Sequence, residues 1–297
     1  MLQRVLPIAR CGTHARVVPQ LVEIAAQSSH SLPAAATQQR RLQALRCQSS
    51  TTAASIDTDD RTTTEVSLYQ YKICPFSNIA KTVLTHQQVP FRSIEVNPLT
   101  KAELKFSSDY RKVPIVKSDN QQWNGTEEIL EHFAASNDDF ATSESSRQWQ
   151  DFARNKLAPL LYPNLCNTLS SSFRAFDYVH STQSFTTVQK YSIQYLGSLA
   201  MYFAAGKIKK KYQLDDVRVA LDEALLELEN GLKNESGTFL HDDKSPHLGD
   251  LAVFGVLKGL EGLPILEDCV LQDEVYPNIR QWYDSMNEQV EKKRIDS

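Results

Sequence analysis

The residue of this sequence with the clearest chemical potential is a cysteine followed by a proline, in the stretch Tyr71-Lys72-Ile73-Cys74-Pro75-Phe76-Ser77. The surrounding pattern predicts that Cys74 lies where a strand ends and a helix begins. Free backbone N–H groups and the positive end of the helix dipole at such a point favour a thiolate over a thiol. Pro75 suits the first helical position, because its missing N–H would have no partner inside the helix. The stretch therefore predicts a reactive thiol, with a cysteine that is merely buried as the alternative.

Ser77 occupies the position where dithiol redox proteins carry a second cysteine. That second thiol resolves a mixed disulfide, and a serine hydroxyl cannot perform this step. The hydroxyl can instead donate a hydrogen bond to the Cys74 thiolate. We therefore expect a monothiol site, suited to binding or transferring glutathione more than to cycling an internal disulfide.

Short elements alternate around Cys74 from residue 65 onwards. Alternating side chains predict a strand over residues 66–71, and apolar residues on one face predict a helix after Cys74. The pattern then predicts a strand over residues 91–96, a helix from 99 to about 106, strands over 113–116 and 121–124, and a helix from 125 to about 135. This order, βαβ followed by α and then by ββα, predicts an α/β thioredoxin-like domain over residues 64–135.

A second feature of such a domain is the proline in Lys112-Val113-Pro114-Ile115, which opens a strand across from the cysteine. Thioredoxin-like folds hold a cis bond at this place, and a cis X-Pro bond is rare enough that it usually serves a purpose. The bond would turn the backbone N–H and C=O of Val113 outward, where they can pair with the cysteinyl part of glutathione. The alternative is a trans proline at the start of an ordinary strand.

Beyond a polar run at residues 136–146, which is typical of a linker, apolar residues recur at helical spacing. This pattern predicts an all-α domain over residues 147–297. Asp250 stands where it can cap a helix that starts near His247. Residues 195–205 are the most apolar window; they are too few to cross a bilayer and are expected to form a buried helix. Any membrane association would therefore be peripheral.

Length and composition exclude several other classes of protein. A chain of 297 residues with 41% hydrophobic residues can form two compact domains. A formal net charge of −4 provides no basic surface for nucleic acid. The five cysteines are widely spaced, which argues against a zinc site or structural disulfides. The run His241-Asp242-Asp243, with His247, lacks ligand spacing, so we expect no metal site.

Residues 1–55 differ from the rest in composition. Six arginines stand against a single acidic residue, Glu23, among many Ser, Thr, Ala and Gln residues. This composition is typical of a disordered organelle transit peptide, which import would remove near residues 46–50. The density of arginine favours the mitochondrion, with the plastid as the alternative, and a tail without a targeting role is also compatible with this composition.

Several blocks of sequence together resemble the prostaglandin E synthase type 2 family. In the first domain they are Leu68-Tyr69-Gln70-Tyr71-Lys72-Ile73-Cys74-Pro75-Phe76, Glu95-Val96-Asn97-Pro98, Lys105-Phe106-Ser107-Ser108 and Tyr110-Arg111-Lys112-Val113-Pro114-Ile115. In the second they are Ser172-Phe173-Arg174-Ala175-Phe176-Asp177-Tyr178-Val179, Ala200-Met201-Tyr202 and Gly249-Asp250-Leu251-Ala252-Val253-Phe254-Gly255-Val256-Leu257. The likeness runs roughly from residue 68 to 263 and thus covers both domains.

The resemblance implies a glutaredoxin-like domain joined to an all-α domain of the glutathione transferase type. It also implies a glutathione cofactor, haem held through glutathione, and isomerisation of prostaglandin H2 to prostaglandin E2. By the resemblance, Tyr71 and Cys74 are catalytic, and the glutathione-binding residues are Phe76, Ser77, Val113, Pro114 and Thr126.

The sequence departs from the family at two places. The usual second cysteine is Ser77, and Gly125-Thr126 stands where the family tends to have an Asp-Ser pair. Thr126 can replace the serine hydroxyl at a helix N-terminus that attracts a carboxylate. Glu127 and Glu128 are candidates to replace the missing acid.

Three functions are compatible with these features. The first is an isomerase that acts on a small-molecule substrate through the Cys74 thiolate. The second is a non-catalytic module that binds glutathione and haem. The third is a monothiol glutathione transferase or glutaredoxin-like oxidoreductase, and a homodimer is compatible with each of them.

Overall fold

The structure is a computed structural model that describes residues 65–134, 143–234, 238–240 and 245–295. The predicted transit peptide at residues 1–55, most of the predicted linker, and the run His241-Asp242-Asp243 lie outside the described residues. The interpretations given to these segments therefore stay predictions.

A four-stranded mixed sheet forms the first part of the chain. Its strands are β1 (Val66–Gln70), β2 (Phe91–Glu95), β3 (Ile115–Lys117) and β4 (Gln122–Asn124), in the spatial order β2-β1-β3-β4. Strands β1 and β2 are parallel, and the other two pairings are antiparallel. Helices α1 (Pro75–His86) and α2 (Gly125–Ala134) pack on the sheet. The predicted thioredoxin-like domain is therefore confirmed.

One predicted helix of this domain is absent. Only a short 3-10 turn, Ala102–Leu104, lies in the stretch where a helix over residues 99–106 was expected. The side-chain oxygen of Asn97 accepts hydrogen bonds from the N–H groups of Leu99 and Thr100, at 3.0 and 3.2 Å. This bonding is that of a helix cap, but Lys101 follows with a left-handed φ of 49°, which does not continue a right-handed helix. The expected helix was therefore wrong.

The second part of the chain is helical, as predicted. Its α-helices are α3 (Glu144–Asp151), α4 (Ala158–Leu165), α5 (Leu169–Ala175), α6 (Thr187–Ser192), α7 (Ser198–Lys211), α8 (Val217–Asn234), α9 (Leu248–Lys258) and α10 (Pro277–Ile295). The π-helical turns Phe152–Leu157 and Ile193–Gly197 join α3 to α4 and α6 to α7. A further π-helical turn spans Leu266–Val270, and a 3-10 helix spans Asp177–Ser181.

The helix start near His247 confirms the predicted cap. The carboxylate of Asp250 accepts a hydrogen bond from the His247 N–H at 3.1 Å. It also accepts bonds from the Leu240 N–H at 3.0 Å and from the Trp282 indole N–H at 2.8 Å. Asp250 is fully buried, so it joins three segments of the helical part in addition to capping a helix.

Helix α9 lies directly against α1. A β-carbon added to Gly255 would lie 2.6 Å from the Cα of Ile79 and 2.8 Å from its backbone nitrogen. Ile79 and Val83 belong to the main hydrophobic core of the helical part. The helical part therefore holds the helix that begins beside Cys74.

The apolar window at residues 195–205 is helical, but its predicted burial is wrong. Tyr195, Leu199 and Phe203 are exposed, whereas Gly197, Ser198 and Ala205 are buried. None of the helices in the described ranges is long and apolar enough to cross a membrane.

Candidate functional site

Cys74 is the N-cap residue of α1, and Pro75 follows at the start of the helix, as the sequence predicts. The Cys74 N–H donates to the Tyr71 carbonyl at 2.9 Å. The side-chain amide of Asn78 donates to the carbonyl oxygens of Lys72 and Cys74, at 2.7 and 2.9 Å. These bonds fix the turn that presents the cysteine.

The Cys74 side chain is only 7% exposed, and its burial raises the pKa of the thiol above the ordinary value. The N–H and hydroxyl of Ser77, the Tyr162 hydroxyl and the Phe76 N–H lower the pKa, but burial outweighs them. Burial thus works against the expected thiolate, although donors that would stabilise a thiolate are in place.

The Ser77 hydroxyl is fully buried. It meets no partner at ordinary hydrogen-bond geometry within the described part of the chain. Its interaction with the Cys74 sulfur nevertheless lowers the pKa of the thiol. The arrangement fits the predicted role of Ser77 as a donor to the thiolate.

Four tyrosines lie near enough to Cys74 for a charge on its sulfur to raise their pKa: Tyr71, Tyr110, Tyr162 and Tyr178. The Tyr162 hydroxyl donates a hydrogen bond to the sulfur over 3.9 Å. Burial raises the pKa of all four phenols, and a charge on Cys74 raises it further; for Tyr71 and Tyr110 the value is about 12. The four hydroxyls therefore keep their protons at neutral pH, and those of Tyr162 and Tyr178 donate to Cys74 and Glu95.

Sequence reasoning assigned a role to Tyr71 alone among these four. Tyr110 and Tyr178 fall in blocks that carry the family resemblance, so these blocks were the signal that could have identified them. Tyr162 lies 88 residues after Cys74 in a helix of the other part, and no local pattern marks it.

Glu95, at the end of β2, is an acid of this site that sequence reasoning missed. Burial raises the pKa of its carboxyl group to about 7. The carboxylate accepts a hydrogen bond from the Lys72 N–H at 2.8 Å, and the Tyr178 hydroxyl also donates to it. Its charge contributes to the raised pKa of Tyr71.

The backbone polar groups of Val113 are without a hydrogen-bond partner among the described residues. The Val113–Pro114 peptide bond is cis, as expected. The Val113 side chain packs against the same small cluster as Tyr71 and Tyr110. A peptide that enters beside Cys74 can therefore pair with the Val113 backbone.

Thr126 is buried in the first turn of α2, and its hydroxyl donates to the Phe76 carbonyl at 3.3 Å. The Phe76 ring packs against the helical core, so Phe76 contacts Cys74 through its backbone N–H. The Glu128 carboxylate accepts a hydrogen bond from the Asn124 N–H at 2.8 Å, just before the start of α2. Glu127 is exposed in the same turn.

Gly125 has a positive φ of 75°, a conformation that favours glycine. A β-carbon there would also lie 3.1 Å from the Tyr110 hydroxyl. Glycine at this position therefore fits both the backbone and the tyrosine beside it.

Residues 68–139 match the family model of the glutathione S-transferase N-terminal domain. The chain carries a glutathione S-transferase N-terminal domain. It is also similar to prostaglandin E synthase 2 of Mus musculus, with 29% identity over 278 residues, which cover 76% of this chain and 71% of the relative. The same protein of Danio rerio is 28% identical over 284 residues, which cover 79% and 72% of the two chains. The resemblance to prostaglandin E synthase type 2 is thus confirmed.

Solved structures show the same fold at low sequence identity. The β-etherase LigF from Sphingobium sp. strain SYK-6 superposes with a TM-score of 0.53 and 16% identity, over 78% of this chain and 99% of that one. Glutathione S-transferase III in apo form superposes with a TM-score of 0.50 and 14% identity, over 77% and 95%. Both likenesses support a thioredoxin-like domain followed by a helical domain of the glutathione transferase type.

Proposed function

We propose that this protein is a glutathione-dependent isomerase of the prostaglandin E synthase 2 type, which converts prostaglandin H2 to prostaglandin E2 at Cys74. The observation that carries the proposal is the contact of the Tyr162 hydroxyl with the Cys74 sulfur, together with Tyr71 and Tyr110, whose pKa a charge on Cys74 raises. The similarity to prostaglandin E synthase 2 supports the choice of reaction.

In the proposed reaction the Cys74 thiolate attacks one oxygen of the endoperoxide. A sulfur–oxygen bond forms, the oxygen–oxygen bond breaks, and the other oxygen leaves as an alkoxide. A tyrosine hydroxyl beside Cys74 gives its proton to this alkoxide, because a phenol with a pKa of about 12 is more acidic than an alcohol. The phenolate then removes the hydrogen from the carbon that bears the sulfur-bound oxygen. The ketone forms, the sulfur–oxygen bond breaks, and the thiolate and phenol are restored.

The hydrogen-bond donors at the start of α1 would stabilise the thiolate that attacks and leaves. Because burial raises the pKa of Cys74, only a small fraction is thiolate at neutral pH, and the Ser77 and Tyr162 hydroxyls increase that fraction. Their contribution is therefore greatest when the sulfur carries its charge.

Glutathione fits the backbone of Val113 and the helix start at Thr126. Val113 would pair with its cysteinyl part, and the first turn of α2 would attract its γ-glutamyl carboxylate. Bound glutathione would supply a second thiol beside Cys74. Haem stays an expectation of the resemblance and plays no part in the proposal.

The test is conversion of prostaglandin H2 by the purified protein with and without glutathione, with the products separated by chromatography and identified by mass spectrometry. The spontaneous decay of the substrate in buffer is the baseline. We expect prostaglandin E2 to exceed this baseline with the wild type in the presence of glutathione, and to return to it without glutathione or with Cys74→Ser. Wild-type product at the baseline, or full activity of Cys74→Ser, would refute the proposal.

A monothiol glutathione transferase is the second candidate function. The observation that favours it is Ser77, which leaves Cys74 without a second thiol on its own helix, whereas Cys166 and Cys269 belong to the helical part. Removal of glutathione from a small mixed disulfide, in a preparation that makes no prostaglandin E2, would favour this function. Glutathione binding without either activity would instead indicate a binding module.

A further inference from the structure

A row of apolar side chains faces solvent along the helix that runs through α6, the π-helical turn and α7. We call it the apolar stripe, and its members are Val188, Tyr191, Tyr195, Leu199 and Phe203. Each is between 43% and 75% exposed. The members are three or four residues apart, so they lie on one face of the helix.

The stripe is followed by positive charge. Residues 191–206 include no charged residue, and the exposed residues Lys207, Lys209, Lys210 and Lys211 come directly after them. A surface helix normally turns its polar face to water, and here the apolar face is outside. A patch of this kind on a surface usually marks an interaction site.

The rest of the domain fixes the orientation of this helix. A β-carbon on Gly197 would lie 2.8 Å from the Phe176 ring, so the inner face packs closely. Gln194 donates to Asp177 at 2.6 Å and bonds to the His180 ring at 2.8 Å. The stripe therefore cannot rotate inward without breaking these contacts.

We propose that the apolar stripe rests on an anionic lipid surface, with the lysines on the headgroups. Tyrosine, leucine and phenylalanine side chains enter the boundary between headgroups and acyl chains, where an amphipathic helix lies parallel to the membrane. Each lysine close to an anionic surface strengthens the attraction to the headgroups. Apolar contact and charge would thus act from neighbouring turns of one helix.

Charge favours a lipid surface over a second copy of the chain. If two stripes packed in parallel, the lysines of one copy would face the lysines of the other. If they packed antiparallel, each lysine block would meet the start of α6, whose exposed residues Thr186, Thr187 and Val188 carry no charge. An anionic membrane complements the lysines, and neither arrangement of copies does.

The test uses the full chain and vesicles of phosphatidylcholine with or without phosphatidylserine, and measures the bound fraction by sedimentation. The stripe variant is Leu199→Glu with Phe203→Glu. The matched control is Val219→Glu with Leu226→Glu, which places the same charges at exposed apolar positions of α8. Circular dichroism checks that both variants fold.

We expect the wild type and the control to bind phosphatidylserine vesicles and the stripe variant to bind about tenfold more weakly. Replacing Lys209, Lys210 and Lys211 by glutamine should weaken binding to a similar extent and reduce its salt dependence. Equal binding by the stripe variant and the control would overturn the proposal, since another segment would then hold the lipid. Wild type without a preference for phosphatidylserine would overturn it too. So would a stripe variant that binds lipid normally but turns a dimer into a monomer in the ultracentrifuge.

Discussion

The hydroxyl of Tyr162 lies 3.9 Å from the sulfur of Cys74, so a residue of the helical part contacts the candidate nucleophile of the thioredoxin-like part. Through this contact the helical part lowers the pKa of the thiol. A donor in this position stabilises the thiolate more than the thiol, because a hydrogen bond to a charged acceptor is stronger than one to a neutral acceptor.

Replacement of Tyr162 by phenylalanine should raise the pKa of Cys74 further. Because the lost hydrogen bond is long, we assign it about 1 kcal/mol of thiolate stabilisation. Its loss should lower the rate of alkylation by iodoacetamide about fivefold at pH 8, because less thiolate is present. The measurement is the alkylation rate as a function of pH. Tyr202→Phe, on α7, is the control and should leave the profile unchanged. An identical profile for Tyr162→Phe would show that the contact does not affect the thiol.

Replacement of Ser77 by cysteine should convert the monothiol site into a dithiol site. Wild type treated with oxidised glutathione should stop at the mixed disulfide on Cys74, because no second thiol lies one helical turn away. In Ser77→Cys the adduct should collapse to an internal disulfide and release glutathione. Intact-protein mass spectrometry separates the two products. A wild type that forms an internal disulfide involving Cys74 would contradict this account, as would a lasting adduct in the variant.

Glu95 should make stability depend on pH. Its folded pKa, raised by burial to about 7, exceeds the ordinary value of 4.5, so its stabilisation is complete below pH 4.5 and is lost as the pH rises through 7. The loss is at most about 3 kcal/mol. Glu95→Gln keeps an acceptor for the Lys72 N–H and should match the wild type at pH 5 but melt at a higher temperature at pH 8.5. Glu127→Gln, at an exposed position, is the control and should melt like the wild type at both pH values. An equal dependence of the melting temperature on pH in the wild type and in Glu95→Gln would refute the assignment.

Asp250 should be more important for stability than an ordinary helix cap. Its carboxylate accepts three hydrogen bonds while fully buried, so Asp250→Ala leaves several donors unpaired. We expect the free energy of unfolding to fall by about 3 kcal/mol, measured by urea denaturation. Asp284→Ala, at an exposed position of α10, is the control and should change it by less than about 0.5 kcal/mol. A similar small change for Asp250→Ala would contradict the role of this network.

Local patterns were sufficient to predict most of the fold. Alternation of side chains gave the strands, and the step Cys74-Pro75 gave the start of α1, because both depend on neighbours in sequence. The prediction of a helix over residues 99–106 failed because Lys101 adopts a left-handed conformation, with φ of 49°, which no pattern of side chains marks.

The candidate site was predicted less completely, because its groups meet through long-range packing. Tyr162 and Glu95 reach Cys74 and Tyr178 only after the chain has folded, and no spacing in the sequence marks these pairs. The prediction that residues 195–205 are buried failed for another reason. Apolar residues at helical spacing indicate that one face of a helix is apolar. They do not indicate whether that face packs against the rest of the chain or against another molecule.

The close approach of Gly255 to Ile79 affects the position of the Cys74 thiol. At this point α1 and α9 meet through main-chain atoms, so their spacing does not depend on side chains that can change rotamer. The helical part supports α1 through this main-chain contact. The position of Cys74, at the start of α1, therefore depends on how α1 packs against the helical part. The packing of α9 against α1 thus contributes to the position of the nucleophile.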